Sequence, residues 1–534
     1  MRDVFRALCV TVCAAAAVWP LAAAAQSLGP LVKVAGGDPF TLCTADQVMP
    51  QSGTNFGGTA VEPWIAVDPT QTGHLLTGVQ QDRWSTGGSR GLRASVSNDG
   101  GLHWKSSFPR GISQCQGGLL QRSTDPWTAF GRDGTAYFFS LVFDDADLLN
   151  GAMVNRSLDG GQTWQPPVTL IFDTDPLAFN DKNSITADPV ISGNAYAVWD
   201  RLYGPASAFQ APGGSDERTG GAAAAQAVTH DGMQRARNHR ARMLNNTIHG
   251  ATDVVETFGP AYFSRTTDSG QSWSRAVPIF DPGPNAQTIG NLILVQPSGE
   301  LLDFFTQINA DGTASISFVR SQDHGLYWTA QSEMAVPLYG WGPVTPDSEQ
   351  WIRSEDIIFS VTNDPATGTL YAVLQDLPDS PDAQVSVVMV TSLDDGKTWS
   401  APIPVNQTPV NTVNPLRGQA FNPAVAVSGN GTVVVTYYDF RNDTGIGGEW
   451  TDVWAVFCNP SAPGGCATPA NWGRELRLSP KSFDITQAPV TTSGFFLGDY
   501  FGLVAQGTDV YAANPGVSGP GQTALYSRVI HTAP

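Results

Sequence analysis

The octapeptide SLDGGQTW, Ser157 to Trp164, sets a hydroxyl, a carboxylate, a glycine and a tryptophan at fixed offsets. Taken alone, Ser157 and Asp159 invite a catalytic reading. The pattern S/T-x-D-x-G-x-x-W occurs five times, however: SNDGGLHW (97–104), SLDGGQTW (157–164), TTDSGQSW (266–273), SQDHGLYW (321–328) and SLDDGKTW (392–399). Catalytic groups are normally unique, so repetition assigns Asp99, Asp159, Asp268, Asp323 and Asp394 to structure. The copies follow β-rich runs such as ISFVRSQD and VVMVTSLD and precede short strands such as VPIF and APIPV. Each motif therefore sits at a hairpin turn. The aspartate accepts hydrogen bonds from free turn amides, the glycine supplies positive φ, and the tryptophan ring packs on the hairpin.

A second turn recurs upstream, in VDPTQTGHLL, FGRDGTAYFF, ADPVISGNAYAV, VQPSGELLDF, TNDPATGTLYAV, VSGNGTVVVTY and AQGTDVYAA. Each copy joins two apolar strands. One unit thus reads strand A, turn, strand B, loop, strand C, aspartate motif, strand D, which is a four-stranded antiparallel propeller blade. The sixth unit replaces the motif by the CNPSAPGGC loop and Trp472. The last has three strands, and the N-terminal PLVKVAGG is available as its fourth. Such a shared blade closes the ring and removes free edges. The expectation is an all-β propeller of seven blades, with six as the alternative, forming one domain over residues 26–534.

Composition agrees. Of 534 residues 41% are apolar and only 14% charged, with 56 glycines and 38 prolines, a turn-rich balance. The net charge of −19 argues against nucleic acid or an anionic membrane as a general partner. Residues 1–25 have Arg2 and Arg6, an apolar run and a small-residue AAAQ end, which read as a secretory signal cut after Ala25. The expected product is a periplasmic or secreted monomer without membrane insertion. Four cysteines remain after that cut. Cys458 and Cys466 bracket a short loop and are expected to pair, which leaves Cys43 with Cys115 by elimination. No histidine stands near them at ligand spacing, so no metal is assigned.

The five motifs resemble the Asp boxes, or BNR repeats, of the sialidase superfamily, over nearly the whole mature chain. The resemblance implies exo-sialidase-like glycan chemistry, with the boxes on the rim away from the substrate. It also implies arginines around a substrate carboxylate, a tyrosine nucleophile helped by a glutamate, and an aspartate acid/base. The family's F/Y-R-I-P string is absent; FPRG around Arg110 is the nearest. Two functions stay open: a glycoside hydrolase, and a non-catalytic propeller that binds a glycan or protein.

If the second turn and the aspartate motif share one face, the B–C and D–A loops surround the central funnel on the other. Strand B ends carry Asp82, Asp144, Asp200, Asp376 and Asp439, with Arg83, Arg201 and Arg441 beside three of them. A guanidinium fork matches a substrate carboxylate bidentately. The substrate-binding candidates are Arg83, Arg122, Arg201, Arg441, Asp82, Asp200 and Asp439, against the alternative that each aspartate caps its own loop. Strand A beginnings add Glu62, Asp125, Lys182, Glu355 and Asp499. The catalytic candidates are Glu62, Glu355, Asp125 and Tyr500. No cofactor is expected. The oxygen-rich FDDADLLNG (143–151) and FDTDPLAFND (172–181) leave Ca²⁺ open, without matching an EF-hand. An insertion at about 203–259 holds Arg235, Arg237, Arg240 and Arg242, and reads either as a basic lid or as an unstructured loop.

Overall fold

The computed structural model describes residues 26–47, 51–145, 149–204, 258–340, 342–354, 357–377 and 384–532. Residues 1–25, expected as a signal, and nearly all of the expected insertion at about 203–259 lie outside these residues. Among them, regular structure is β-strand with a few single-turn 3-10 helices, and no helix is long and apolar enough to cross a membrane.

Among the described residues the strands form four-stranded antiparallel sheets in a propeller-like arrangement, the first two joined into one sheet through a Ser89–Ser123 pairing. Their first strands are Asn55–Val67, Arg122–Phe130, Ala178–Ala187, Gln287–Val295, Phe359–Asn363, Ala420–Val427 and Gly502–Gln506. Each pairs with the next strand in sequence, and so on outward. The last unit draws its fourth strand from the N-terminus: Ser27–Ala35 pairs antiparallel with Gln522–His531, at the far end of the chain.

Both faces of these sheets are buried, which is why the strands read as nearly continuous apolar runs. In Leu370–Asp376 the side chains alternate. Leu370, Ala372 and Leu374 enter the cluster shared with the fourth sheet, and Tyr371 and Val373 the cluster shared with the sixth. Apolar clusters fill the space between each sheet and the next in this way. One, built from Val34, Ile65, Leu75, Tyr511 and Leu525, joins the seventh sheet to the first.

The aspartate turns share one geometry. In SLDGGQTW, Asp159 accepts from the Ser157 hydroxyl (2.7 Å), the Thr163 amide (2.8 Å) and the Thr163 hydroxyl (2.6 Å), and the Gly161 amide donates to Ser157 Oγ (2.8 Å). Asp99, Asp268, Asp323 and Asp394 repeat the pattern, each accepting the amide four residues on at 2.9 Å. The Trp164 indole donates to Ser107 in the first sheet (3.0 Å), so the turn also ties neighbouring sheets together. Both expected disulfides are present, Cys43–Cys115 and Cys458–Cys466.

Candidate functional site

Five of the first strands share an irregularity that positions polar groups. The register with the neighbouring strand slips between Val61 and Trp64, Thr124 and Trp127, Asp181 and Ser184, Ile289 and Leu292, and Phe421 and Ala424. Within each slip one residue has positive φ: Glu62 (51°), Asp125 (53°), Lys182 (45°), Gly290 (75°) and Asn422 (49°). A bulge of this kind re-aims a side chain. Left-handed backbone costs a residue other than glycine roughly 1–2 kcal/mol, so four such residues at equivalent points mark a feature the surrounding structure holds in place.

The re-aimed groups converge. Lys182 makes a close ion pair with Asp499 and lies 3.8 Å from Glu62. Arg353 grips Asp499 with two donors, at 2.9 and 2.6 Å. The amide of Gln80 bonds Glu62 and also reaches Thr124 (2.8 Å) and Asp125 (3.5 Å). Arg83 donates to Gln80 (2.6 Å) and approaches Glu62 at 4.0 Å. Arg83 and Arg353 both lie against Phe496, their guanidinium carbons 4.1 and 5.0 Å from its ring centre. Asn422 donates to the Gly498 and Ser354 carbonyls (3.1 and 3.3 Å).

Electrostatics separate the carboxyls. Burial, reinforced by Asp499 and Asp125, pushes Glu62 well above the usual carboxylate range against the pull of Lys182 and Arg83. Burial works against ionisation of Asp499 too, but Arg353 and Lys182 outweigh it and hold that carboxyl well below the usual range. Burial raises Asp181 to about 6, with Lys182 opposing. The result is two neighbouring carboxyls whose proton affinities are pushed in opposite directions, the arrangement that divides acid and base roles. Three atoms here are buried without a hydrogen-bond partner: Asp125 Oδ2, Arg83 Nε and Tyr500 OH. Such orphans at a functional site are open positions for a ligand or water.

Below the cluster, the first strands line a cavity of about 40 Å³, with Lys182, Asp499 and Tyr500 in its wall. Stacked Trp64 and Trp127 (ring centres 3.6 Å apart) flank it, and Tyr500 tilts against Trp127 at 5.1 Å. The space is enough for a water or two, not for a sugar. The segment 494–499 packs against the cluster and supplies Asp499 to it. Phe495–Phe496 pairs with Ile352–Arg353, and the Glu62 amide donates to the Leu497 carbonyl (3.1 Å).

Of the catalytic candidates, Glu62, Asp125 and Tyr500 meet in this cluster, and Glu355 lies outside the described residues. Of the substrate-binding candidates only Arg83 is there. Arg122 is wholly buried elsewhere, bonded to Gln51 (2.7 Å), the Gly87 carbonyl (2.8 Å) and the Ser52 carbonyl (2.9 Å). Arg201 pairs with Asp173 (Nε to Oδ2, 3.0 Å) and lies against Tyr203 and Tyr262. Arg441 pairs with Asp439 (2.5 Å) and Glu475 over the Trp454 ring. Strand-end aspartates bind backbone amides: Asp82 that of Gly58 (2.7 Å), Asp144 that of Gln121 (2.7 Å), Asp200 that of Gly290 (2.8 Å) and Asp376 that of Tyr339 (3.1 Å). Those are loop-capping roles.

Sequence reasoning placed Lys182 and Asp499 at strand beginnings without assigning them to the site, and passed over Gln80, Arg353 and Phe496. One signal was available. The triplets EPW (62–64), DPW (125–127) and NPA (422–424) repeat at the bulges and mark Asn422 as the counterpart of Glu62. As for Ca²⁺, Asp173 of the second oxygen-rich stretch is held by Arg201. Among the described residues one carboxylate trio, Asp347, Asp443 and Glu449, has metal-like spacing, but Arg417 pairs with two of its members at 2.7 Å.

No family model matches the chain, and no curated protein matches it. Solved structures similar to it include a protein of unknown function from Dyadobacter fermentans (14% identity, covering 94% of this chain and 99% of that one, TM-score 0.44). They also include a Hadza microbial sialidase, Hz136 (15% identity, 85% and 75% covered, TM-score 0.43). A third is an α-L-arabinanase of Penicillium chrysogenum solved with arabinobiose (13% identity, 77% and 94% covered, TM-score 0.42).

Proposed function

We propose that this protein is an exported, sialidase-like, seven-bladed propeller that cleaves glycosidic bonds at the axial cluster, with Glu62 as proton donor. One observation carries the reading. Chain-distant titratable groups, among them Glu62, Asp125 and Lys182 on bulges with left-handed backbone, meet in one cluster, and the proton affinity of the Glu62 carboxyl is raised beside charged neighbours. A buried neutral carboxylic acid suits protonation of a leaving glycosidic oxygen. Asp125, with one oxygen unpartnered, is the second carboxylate. Arg83 and Arg353 supply guanidiniums for an acidic sugar. The Tyr500 phenol, pushed well above its usual range by burial, is a neutral hydroxyl that contacts substrate rather than a ready nucleophile. Glu62 is only 1% exposed, so substrate reaches it once the packing around it opens.

A panel of chromogenic aryl glycosides, including uronides and sialosides, tests this with Glu62→Gln as control. The expected outcome is turnover of at least one substrate and a fall of about 10²–10⁴-fold in kcat for the variant, the usual worth of general acid catalysis. The burial of Glu62, Asp125, Lys182 and Asp499 favours a second reading, a non-catalytic glycan- or protein-binding propeller with a charged core. No turnover across the panel by a folded protein, or Glu62→Gln as active as the parent, selects that reading.

A further inference from the structure

A second cavity, of about 120 Å³, lies between the sixth and seventh sheets and shares no lining residue with the one beside Lys182 and Asp499. Leu31, Val453, Phe483, Val517 and Tyr526 give it apolar walls, and Arg528 and Lys481 are the charged residues that line it. No acidic residue does, in a chain with 48 acidic and 29 basic side chains. Arg528 is part-buried and is bonded to backbone carbonyls, Gly29 at 2.9 Å and Leu478 at 2.7 Å. No carboxylate pairs with Arg528 among the described residues. Asp452, next to Val453 in sequence, is already taken by Asn442, Arg477, Ser479 and Ser482. Burial without a counter-ion lowers the Arg528 pKa from its ordinary value. A part-buried guanidinium of this kind is stabilised by any anion that reaches it. The volume is close to that of a cavity of about 150 Å³ known to take benzene.

We infer that this cavity binds a small organic carboxylate with an apolar body, the ring or chain lying against Phe483 and Tyr526 and the carboxylate meeting Arg528. The site is independent of the axial chemistry. Gly516 offers a clean way to close it. A Cβ added there meets Tyr526 Cε2 at 3.5 Å and Phe483 Cδ1 at 3.8 Å, ordinary contacts, and the residue sits in the strand Asp509–Gly519 without positive φ. A longer side chain at 516 therefore fills the cavity without straining the backbone.

The test is calorimetric titration of the mature protein with phenylacetate and with its neutral counterpart 2-phenylethanol, backed by ligand-observed NMR. Saturable phenylacetate binding with Kd below about 1 mM is expected, with the alcohol at least tenfold weaker, the worth of one charged hydrogen bond. Gly516→Leu is expected to lose binding of both at an unchanged melting temperature. Arg528→Met is expected to lose the preference for the acid, and this readout serves if Gly516→Leu does not fold. Absence of saturable phenylacetate binding, equal affinity for acid and alcohol, or a preference for acid that survives in Arg528→Met overturns the inference.

Discussion

Asp303 has both carboxylate oxygens buried and without a hydrogen bond, in the strand Leu301–Ile308. Burial, with Asp200 adding to it, raises its pKa well above the usual value. The sign follows from linkage. With the folded pKa above the unfolded one, the native state holds an extra proton, so stability is greatest below about pH 4 for this group and falls as pH rises toward the folded value. Asp303→Asn removes that titration. The expected outcome is a higher melting temperature at pH 8 and a smaller difference between pH 5 and pH 8, read by thermal melts across pH. At the site, Gly498 is equally exacting. With φ at 149°, an added Cβ falls 2.9 Å from both Cα and N of Glu62. Gly498→Ala is expected to shift Glu62 and lower any glycosidase kcat at least tenfold with KM less affected; initial rates across substrate concentrations check it.

At the scale of the element, the repeated aspartate turn is a hydrogen-bonding device. Asp159→Ala removes the acceptor of three donors at one hairpin, the Ser157 hydroxyl and the Thr163 amide and hydroxyl. These lie near solvent, which limits the cost to about 1–2 kcal/mol. A lowered denaturation midpoint with unchanged turnover or ligand affinity is expected, by urea melts alongside activity. The disulfides differ by loop length. Loop-closure entropy gives about 4 kcal/mol for the 72-residue separation of Cys43–Cys115 and about 2.5 kcal/mol for the 8-residue separation of Cys458–Cys466. Serine replacement of the first pair is expected to lower the urea midpoint more than replacement of the second.

Across the whole molecule, the N-terminal strand Ser27–Ala35 is the fourth strand of the last sheet, and Val34 and Ala35 enter the cluster between the seventh and first sheets. Deleting residues 26–36 exposes the edge of Gln522–His531 and opens that cluster. An unpaired edge of this length is an aggregation site. The truncated chain is expected to melt several degrees lower and to form oligomers in size-exclusion chromatography.

The repeats made the blades legible, because a hairpin is a local event: the strands, the turn chemistry and the alternation of side chains are all written within about 45 residues. The N-terminal strand and both disulfides were readable from pattern and parity. The carboxylates were legible as strand beginnings, but not as neighbours of Arg353, Gln80 and Phe496, which come from distant segments with no repeated signal. Nor was the division between capping and converging arginines visible. Arg83 and Arg122 each stand beside a strand end, and only packing puts one beside Glu62 and the other against the Gln51–Ser52 loop. Local hydrogen bonds and side-chain periodicity are properties of short sequence. Proton affinity, counter-ions and burial depend on which distant residues meet, and only the tertiary structure decides that.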